Sequence, residues 1–282
     1  MQTVIDIENK LKRILEGYKE WLDIIGYAKD TVNSLPQQLK PFFSCLRQAG
    51  SSENLAEGLH VPKEIIRSYY EQLKQRKSQH TGELLKQSTL NGHLRNLVLF
   101  NNYLEETGQG SLQIDIRYEK AEPPEREILS LYEIEQLYNA CEEGIKGLRE
   151  RAILSLYYGC GLRNKEGVNL NVNDVLLDKQ LVHIRKAKNH RARYVPFVEQ
   201  QKQDFELYLR HCRKQLVKGD CVSFLLNNQG GKMTTTATAK VLKTLIGRTE
   251  NEELKEKKIG LHTLRHSIAT HLLQSGMGIE SI

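Results

Sequence analysis

The sequence lacks any apolar run long enough to cross a membrane. A membrane-spanning helix needs roughly 20 consecutive apolar residues, and the apolar stretches of this 282-residue chain are all much shorter. The first residues, Met1 to Asp6, also lack the basic and then apolar layout of a secretory signal peptide. We therefore expect a cytoplasmic protein with no membrane partner.

Paired cysteines are absent as well. The chain has five cysteines, an odd number, and no two of them form a C-x-x-C pair. Neither a disulfide framework nor a zinc knuckle is therefore indicated, and a reducing compartment fits best. A strong charge imbalance is also missing, since 41 basic residues against 35 acidic ones give a formal charge of +6. The places where basic residues cluster are more informative than this total.

The first hundred residues carry apolar side chains at helical spacing. Four stripes occur, and each predicts an amphipathic helix. Their members are Ile7, Leu11, Ile14, Tyr18, Trp21, Leu22 and Ile25; Val32, Leu35, Leu39, Phe42, Phe43 and Leu46; Ile65, Ile66, Tyr69, Tyr70 and Leu73; and Leu90, Leu94, Leu97, Val98 and Leu104. Pro36 and Pro41 predict a kink or a delayed start in the second helix, and Pro62 suits the first position of the third. Residues 1–110 are thus expected to form an all-helical bundle.

A linker and a second domain are predicted after this bundle. Residues 111–129 have mixed charge and little apolar periodicity, which is typical of an interdomain linker. Ser130 and Glu133 then have capping-box spacing, so a domain of residues 130–282 is expected to begin with a helix. Three segments with a period of two follow, and they predict a small antiparallel sheet: 172–177, 181–186 and 192–197. The predicted fold is therefore mainly α, a helical bundle plus a mostly α domain with one small three-stranded antiparallel sheet.

The second turn of this sheet is strongly basic. Five cations lie within nine residues that contain no acid: Arg185, Lys186, Lys188, Arg191 and Arg193. Lys186, Arg191 and Arg193 are expected to contact a phosphate backbone. Lys188, at the predicted tip, could serve as a phosphate ligand or as a proton donor to a leaving oxygen. The alternative is a solvated basic turn without a partner.

Two arginines and a histidine are candidates for holding a phosphodiester. Arg163 follows a glycine-terminated apolar helix, and His262 and Arg265 are three residues apart, on one face of a predicted helix. Two guanidinium groups can bind both non-bridging oxygens of a phosphodiester and stabilise a pentacoordinate transition state. A purely structural arginine that binds backbone carbonyls is the alternative for Arg163.

A metal site is an alternative interpretation for His262, His266 and His271, which are close in sequence. The zinc-binding H-E-x-x-H pattern needs a glutamate after the first histidine, and Thr263 stands there. No acidic residue occurs between Leu261 and Gly278 to complete a charged ligand set. We therefore expect no metal ion and interpret His266 as a supporting side chain.

Three segments resemble the sequence boxes of the tyrosine recombinase (phage integrase) family. They are Y-G-C-G-L-R-N-K-E-G-V-N-L at 158–170, K-N-H-R-A-R-Y-V-P at 188–196, and H-T-L-R-H-S-I-A-T-H-L-L at 262–273. Their order and spacing match the family across the second domain, and the preceding bundle resembles the SAM-like core-binding domain of that family. The resemblance implies site-specific DNA recombination on double-stranded DNA by a homotetramer. It implies neither a metal nor a nucleotide cofactor.

The resemblance also implies roles for individual residues. Arg163 would be the first catalytic arginine, and His262 with Arg265 would be the H-x-x-R pair. Lys188 would protonate the leaving 5′ oxygen, while Glu166 would be a structural acid of the first box. The family attacks one DNA strand with a tyrosine and forms a 3′-phosphotyrosyl link.

The expected nucleophile is the point at which this sequence departs from the family. None of its twelve tyrosines follows the H-x-x-R box, so the attacking tyrosine is expected beyond Ile282. A nucleophile from another subunit is a variant of the same mechanism. The alternative function is a DNA-binding remnant or regulator of a mobile element that does not cleave strands.

Overall fold

The computed structural model describes residues 2–49, 58–79, 81–123, 126–185 and 192–281. The chain forms two compact units, Met1–Pro124 and Glu125–Ile282. Within the described ranges, no helix has both the length and the apolar character required to span a bilayer.

Five helices form most of the described part of the first unit: α1 Gln2–Ile24, α2 Lys29–Gln38, α3 Lys40–Gln48, α4 Lys63–Lys74 and α5 Gln87–Glu106. Their apolar faces share one core, in which the rings of Tyr18, Phe42 and Phe100 are fully buried. Each stripe read from the sequence therefore supplies part of this core, as amphipathic helices require.

Proline residues shape two of these helices. The predicted interruption of the second stripe is a break into α2 and α3 at Leu39, with Pro41 in the first turn of α3. Pro36 lies inside α2, where it is buried. Pro62 is the residue before α4 rather than its first helical position. The extended backbone of Pro62 is the conformation expected for the residue that precedes the first turn of a helix.

A pair of short strands in the first unit was not predicted. Strand β1, Leu59–Val61, pairs in parallel with β2, Gly110–Leu112. Gly110 has φ +142°, and a Cβ added there would lie 2.2 Å from the carbonyl oxygen of Leu59. Each strand has only three residues, too few for a period of two to be recognised, so the bundle is not all-helical. Strand β2 also occupies the start of the predicted linker.

The second unit contains eight helices within its described residues: α6 Leu131–Asn139, α7 Ile145–Leu154, α8 Asn164–Val168, α9 Glu199–Leu207, α10 Lys214–Leu216, α11 Thr235–Arg248, α12 Glu252–Glu256 and α13 Leu261–Gln274. Short π-helical segments, Ser155–Gly159 and Tyr208–Arg213, extend α7 and α9. The capping box at Ser130 is confirmed, because its Oγ accepts from the Glu133 amide and the Glu133 carboxylate accepts from the Ser130 amide.

The predicted three-stranded antiparallel sheet is present. Its strands are β3 Val175–Leu176, β4 Leu181–Ile184 and β5 Arg193–Pro196, paired in the order β3-β4-β5. β3 is shorter than predicted because 3-10 turns, Val172–Asp174 and Leu177–Lys179, flank it. Val182 and Ile184 are buried beneath the sheet, whereas His183 stacks on Tyr194 on the opposite face. The basic turn at 186–191 lies outside the described residues.

Helix α13 is fixed in the core of the second unit. Leu261 and Leu264 are buried, and the helix packs against the π-helical segment Ser155–Gly159. Buried Ser267 accepts a hydrogen bond from the Leu129 amide at 2.9 Å and donates to the Thr263 carbonyl. These contacts set the position of the helix that carries His262 and Arg265.

Candidate active site

Arg163 lies where a buried helical segment turns into α8. The turn passes through Gly161, whose φ of +58° is in the left-handed region that favours glycine. Leu162 is fully buried and anchors the next residue. Arg163 then precedes α8 with an extended backbone, and 39% of its side chain is exposed. The sequence thus places a long cationic side chain at the end of a rigid turn.

The Glu166 carboxylate binds two arginines. Its Oε1 accepts from Nη1 of Arg163 and Nη1 of Arg193, each at 2.8 Å. Its Oε2 accepts from the Arg163 amide at 2.9 Å and from Nη2 of Arg193 at 2.8 Å. Burial raises the pKa of Glu166, but the hydrogen bonds from Arg193 and Arg163 outweigh burial and hold it at about 2.

Arg265 contacts the same turn from α13. Its Nη1 donates to the carbonyl oxygen of Gly161, two residues before Arg163. Burial, and then the nearby charge of Arg163, lower the pKa of Arg265, while Glu166 opposes this shift. Three arginines, Arg163, Arg193 and Arg265, thus surround the single carboxylate of Glu166. The net positive charge of these side chains would attract an anion.

An open cleft of about 970 Å³ extends beside this cluster. Its lining includes Arg163, Glu166, His183, Lys232 and the exposed side chain of His262. The Lys232 ammonium donates to Oδ1 of Asn169 at 2.5 Å. Such a cleft, with cationic side chains and two histidines, can bind a phosphate diester and accept or donate a proton.

The structure brings Arg163, Arg193 and Arg265 together, and His262 lies in the same cleft as Arg163. Lys186, Lys188 and Arg191 lie outside the described residues, so their roles stay predictions. Arg193 was predicted to contact DNA, and in the structure two of its guanidinium nitrogens donate to Glu166. The Arg193 pairing was missed because it joins helix α8 to a strand 27 positions later, and no short motif encodes it.

Lys232 was also missed. It follows the glycine pair Gly230-Gly231 in a turn without periodic signal. Only the tertiary fold places its side chain at the cleft. A lone lysine after a turn is common, so the sequence alone offered no reason to select it.

The other histidines of α13 make protein contacts. Nδ1 of His271 lies 3.0 Å from the hydroxyl of Tyr158, and the two rings meet edge to face. Burial, followed by Arg126 and His262, lowers the pKa of His266. Among the residues with described positions, no three His, Cys, Asp or Glu side chains are grouped so that they could share a metal ion.

Tyr157, on the segment before Arg163, is fully buried. Its hydroxyl donates to the Asn164 carbonyl at 3.1 Å. Burial raises the pKa of this phenol, which makes it a poor nucleophile. Its role is to hold the start of α8.

The sequence model of the phage integrase family matches residues 127–282, which contain every element of this cleft. The chain therefore belongs to the phage integrase family, and the resemblance read from its three boxes is confirmed. The predicted fold class is confirmed as well.

The relatives include the tyrosine recombinase XerD of Corynebacterium glutamicum, which is 36% identical over 135 residues, 48% of this chain and 43% of that protein. The tyrosine recombinase XerC of Oceanobacillus iheyensis is 27% identical over 281 residues, 97% of this chain and 87% of that protein. The chain thus aligns with less than half of the first relative's length but with most of the second.

Solved structures share the fold. The Tn1549 transposon integrase in complex with circular intermediate DNA has a TM-score of 0.68 at 17% identity, covering 95% of this chain and 89% of that one. The XerH recombinase bound to palindromic difH substrate has a TM-score of 0.67 at 18% identity, covering 98% and 78%.

Proposed function

We propose that this chain acts in site-specific DNA recombination, and that its cleft holds one phosphodiester of double-stranded DNA for strand cleavage and rejoining. One observation carries the proposal. Arg163 and Arg265, from boxes a hundred residues apart, meet at a single turn beside a cleft that His262 also lines. Membership of the phage integrase family and the DNA-bound neighbours with the same fold support it.

The two arginines have the chemistry for this task. Arg163 gives one Nη1 hydrogen to Glu166 and retains further N–H donors beside the cleft. Guanidinium groups bind paired phosphate oxygens in a fixed geometry, and their charge stabilises the additional negative charge of a pentacoordinate transition state. A network fixed before the reaction reduces the reorganisation that this stabilisation requires.

The proposed cleavage step is a transesterification. A tyrosine oxygen forms a bond to phosphorus as the bond from phosphorus to the 5′ oxygen breaks, which leaves a 3′-phosphotyrosyl link. His262 accepts the phenol proton, and Lys188 donates a proton to the leaving 5′ oxygen. Attack by the 5′ hydroxyl of another strand reverses the step and joins new partners, so no metal or external energy source is needed.

The attacking tyrosine is proposed to come from outside residues 1–282, in the same chain or in another copy. Tyr157 and Tyr158, the phenols next in sequence to Arg163, are engaged with Asn164 and His271. Mass spectrometry of a protein–DNA covalent complex formed on a nicked duplex would identify the linked peptide. A link to a tyrosine within residues 1–282 would contradict this assignment. We also propose that four copies of the protein, bound to two paired DNA sites, carry out the complete strand exchange. The mass of the protein–DNA complex would test this number of copies.

The site can be tested on this chain without a nucleophile. Orthovanadate bound between the two hydroxyl ends of a nick accepts a fifth oxygen ligand and resembles the pentacoordinate phosphorus. A duplex that the chain binds would first be selected from a random library. Copies of this duplex, each nicked at a different position, would then be tested with and without vanadate. At one nick position, vanadate should make the chain bind at least about a hundredfold tighter. The gain should persist in a chelator. No gain at any position would contradict the proposed function.

A further inference from the structure

Arg193 stands out because its surroundings do not suit the role suggested by its sequence. A cation that binds DNA phosphate needs its guanidinium donors directed to solvent. Nη1 and Nη2 of Arg193 instead form parallel 2.8 Å hydrogen bonds to the two oxygens of Glu166. This is the bidentate geometry in which an arginine–carboxylate pair is most directional. The side chain is only 32% exposed.

We propose that Arg193 is a positioning residue for Arg163, acting through the Glu166 carboxylate, and that it does not bind DNA. The inference rests on the proposed function, because it assigns Arg163 to the phosphodiester. Arg193 lies on β5, whereas Arg163 directly precedes α8 and Arg265 lies on α13.

The geometry of Glu166 supports this assignment. Its carboxylate is 5% exposed and accepts four hydrogen bonds, two from each arginine. Arg193 fixes the plane of the carboxylate with two bonds, and the same two oxygens then fix the Arg163 backbone and side chain. Without Arg193, the carboxylate could rotate toward Arg163 and occupy more of its donors. Arg163 would then have fewer donors for a phosphate.

The local charges lead to the same conclusion. Arg163, Arg193 and Arg265 share one nearby carboxylate. Burial first, and then the charges of Arg163 and Arg193, lower the pKa of Arg265. Because Arg193 is paired with Glu166, its positive charge is compensated even though Arg163 and Arg265 lie nearby. The same pair links β5 to the loop of Arg163, so the strand that follows the basic turn is tied to the candidate active site.

The neighbouring strand β4 is connected in a similar way. Arg185, which follows β4, pairs with Asp174 at 2.9 Å and donates to the Asn169 carbonyl at 3.1 Å. Each of the two strands thus has an arginine at one end that binds the segment 166–174. This arrangement favours a structural task for Arg193 over a contact with a ligand.

Lysine substitution separates the two roles. A lysine keeps the positive charge and can still bind a phosphate, but it cannot reproduce a bidentate pair. We would compare Arg193→Lys and Arg193→Ala with the original chain, using Arg210→Ala as control. Arg210 is 71% exposed and pairs with Glu206 on its own helical segment. Three quantities would be measured for each: duplex affinity, its salt dependence, and the affinity gain with vanadate on a nicked duplex.

A positioning role predicts that Arg193→Lys and Arg193→Ala leave duplex affinity and its salt slope within about twofold of the original. Both should lose roughly tenfold or more of the vanadate gain, since a small misplacement of a site group has an effect of this order. Arg210→Ala should change none of the three quantities. Thermal unfolding would verify that each variant is folded. Because Arg193→Lys keeps the positive charge beside Glu166, it is expected to stay folded even if Arg193→Ala does not.

Two outcomes would overturn the inference. If Arg193→Ala reduced the salt slope by about one and Arg193→Lys restored it, Arg193 would be a phosphate contact. If Arg193→Lys kept the whole vanadate gain, the bidentate pair would not position Arg163. An original chain without any vanadate gain would instead contradict the proposed function, and the inference would fail with it.

Discussion

At the scale of single residues, the candidate site depends on one acid among several cations. Glu166 is nearly inaccessible, yet the hydrogen bonds from Arg193 and Arg163 keep its carboxylate ionised. A buried charge without such partners would be strongly destabilising. The stability of the second unit should therefore depend on the charge of this side chain.

The variant Glu166→Gln tests this dependence. A pKa held at about 2 against the ordinary 4.5 corresponds to roughly 3 kcal/mol of stability at neutral pH. Because the folded-state pKa is depressed, this stability is complete above about pH 4.5 and is lost as the pH falls through about 2. We expect the free energy of unfolding of the original chain to exceed that of Glu166→Gln by the largest amount above pH 5.

Chemical denaturation of both proteins between pH 2 and pH 7 measures this difference. Other carboxylates titrate in both proteins, so their contributions cancel in the comparison. A difference that stays constant over the whole range would contradict the assignment of an ionised Glu166.

The residues of the site were predictable to different degrees. Arg163, His262 and Arg265 were selected because short motifs place them at the end of an apolar helix and on one helix face. The pairing of Arg193 was not predicted, because a run of cations does not show which of them has an acidic partner. That partner, Glu166, lies in a different box, and only the folded chain brings the two together.

At the scale of secondary structure, the backbone spacing of β1 and β2 depends on a glycine. Gly110 combines a positive φ with a close approach to the backbone of Leu59. A Cβ would meet backbone atoms that cannot rotate away, and the strands would have to separate. The parallel pair connects the segment before α4 with the end of α5, so its loss should weaken the first unit.

Gly110→Ala should lower the free energy of unfolding of the first unit by roughly 2 kcal/mol or more, through strain and overpacking. Gly92→Ala is the matched control. Gly92 lies in α5 with nothing within 4 Å of an added Cβ, and alanine in a helix interior is favoured over glycine by up to about 1 kcal/mol. Urea unfolding of the two variants would compare them. Equal stability would contradict the close packing of Gly110.

Helices were predicted more reliably than strands. Long apolar stripes of period 3.6 identified the helices of the bundle, and Pro41 indicated the break between α2 and α3. The three-residue strands β1 and β2 carry no usable period, and their pairing joins positions about fifty residues apart. Strand β3 was predicted too long because the 3-10 turns around it have apolar residues at similar spacing.

At the scale of the whole molecule, a formal charge of +6 is small for the proposed role on DNA. The cations are grouped, however, and each lysine or arginine that contacts a phosphate releases counterions when DNA binds. We predict that the affinity for duplex DNA falls at least about a hundredfold between 50 and 200 mM salt, the loss expected for about four phosphate contacts. Fluorescence anisotropy with a labelled duplex would measure it. An affinity independent of salt would contradict a phosphate-binding cleft.

Arg163 and Arg265 are proposed to hold a pentacoordinate phosphorus together. This role is tested by the vanadate gain on the selected nicked duplex, measured with a metal chelator present for the original chain, Arg163→Ala, Arg265→Ala and the control Arg210→Ala. We predict that either site variant loses the gain by a factor of about 10² to 10³, while binding to intact duplex changes little and Arg210→Ala keeps the gain. A full gain in Arg163→Ala or Arg265→Ala would contradict the account.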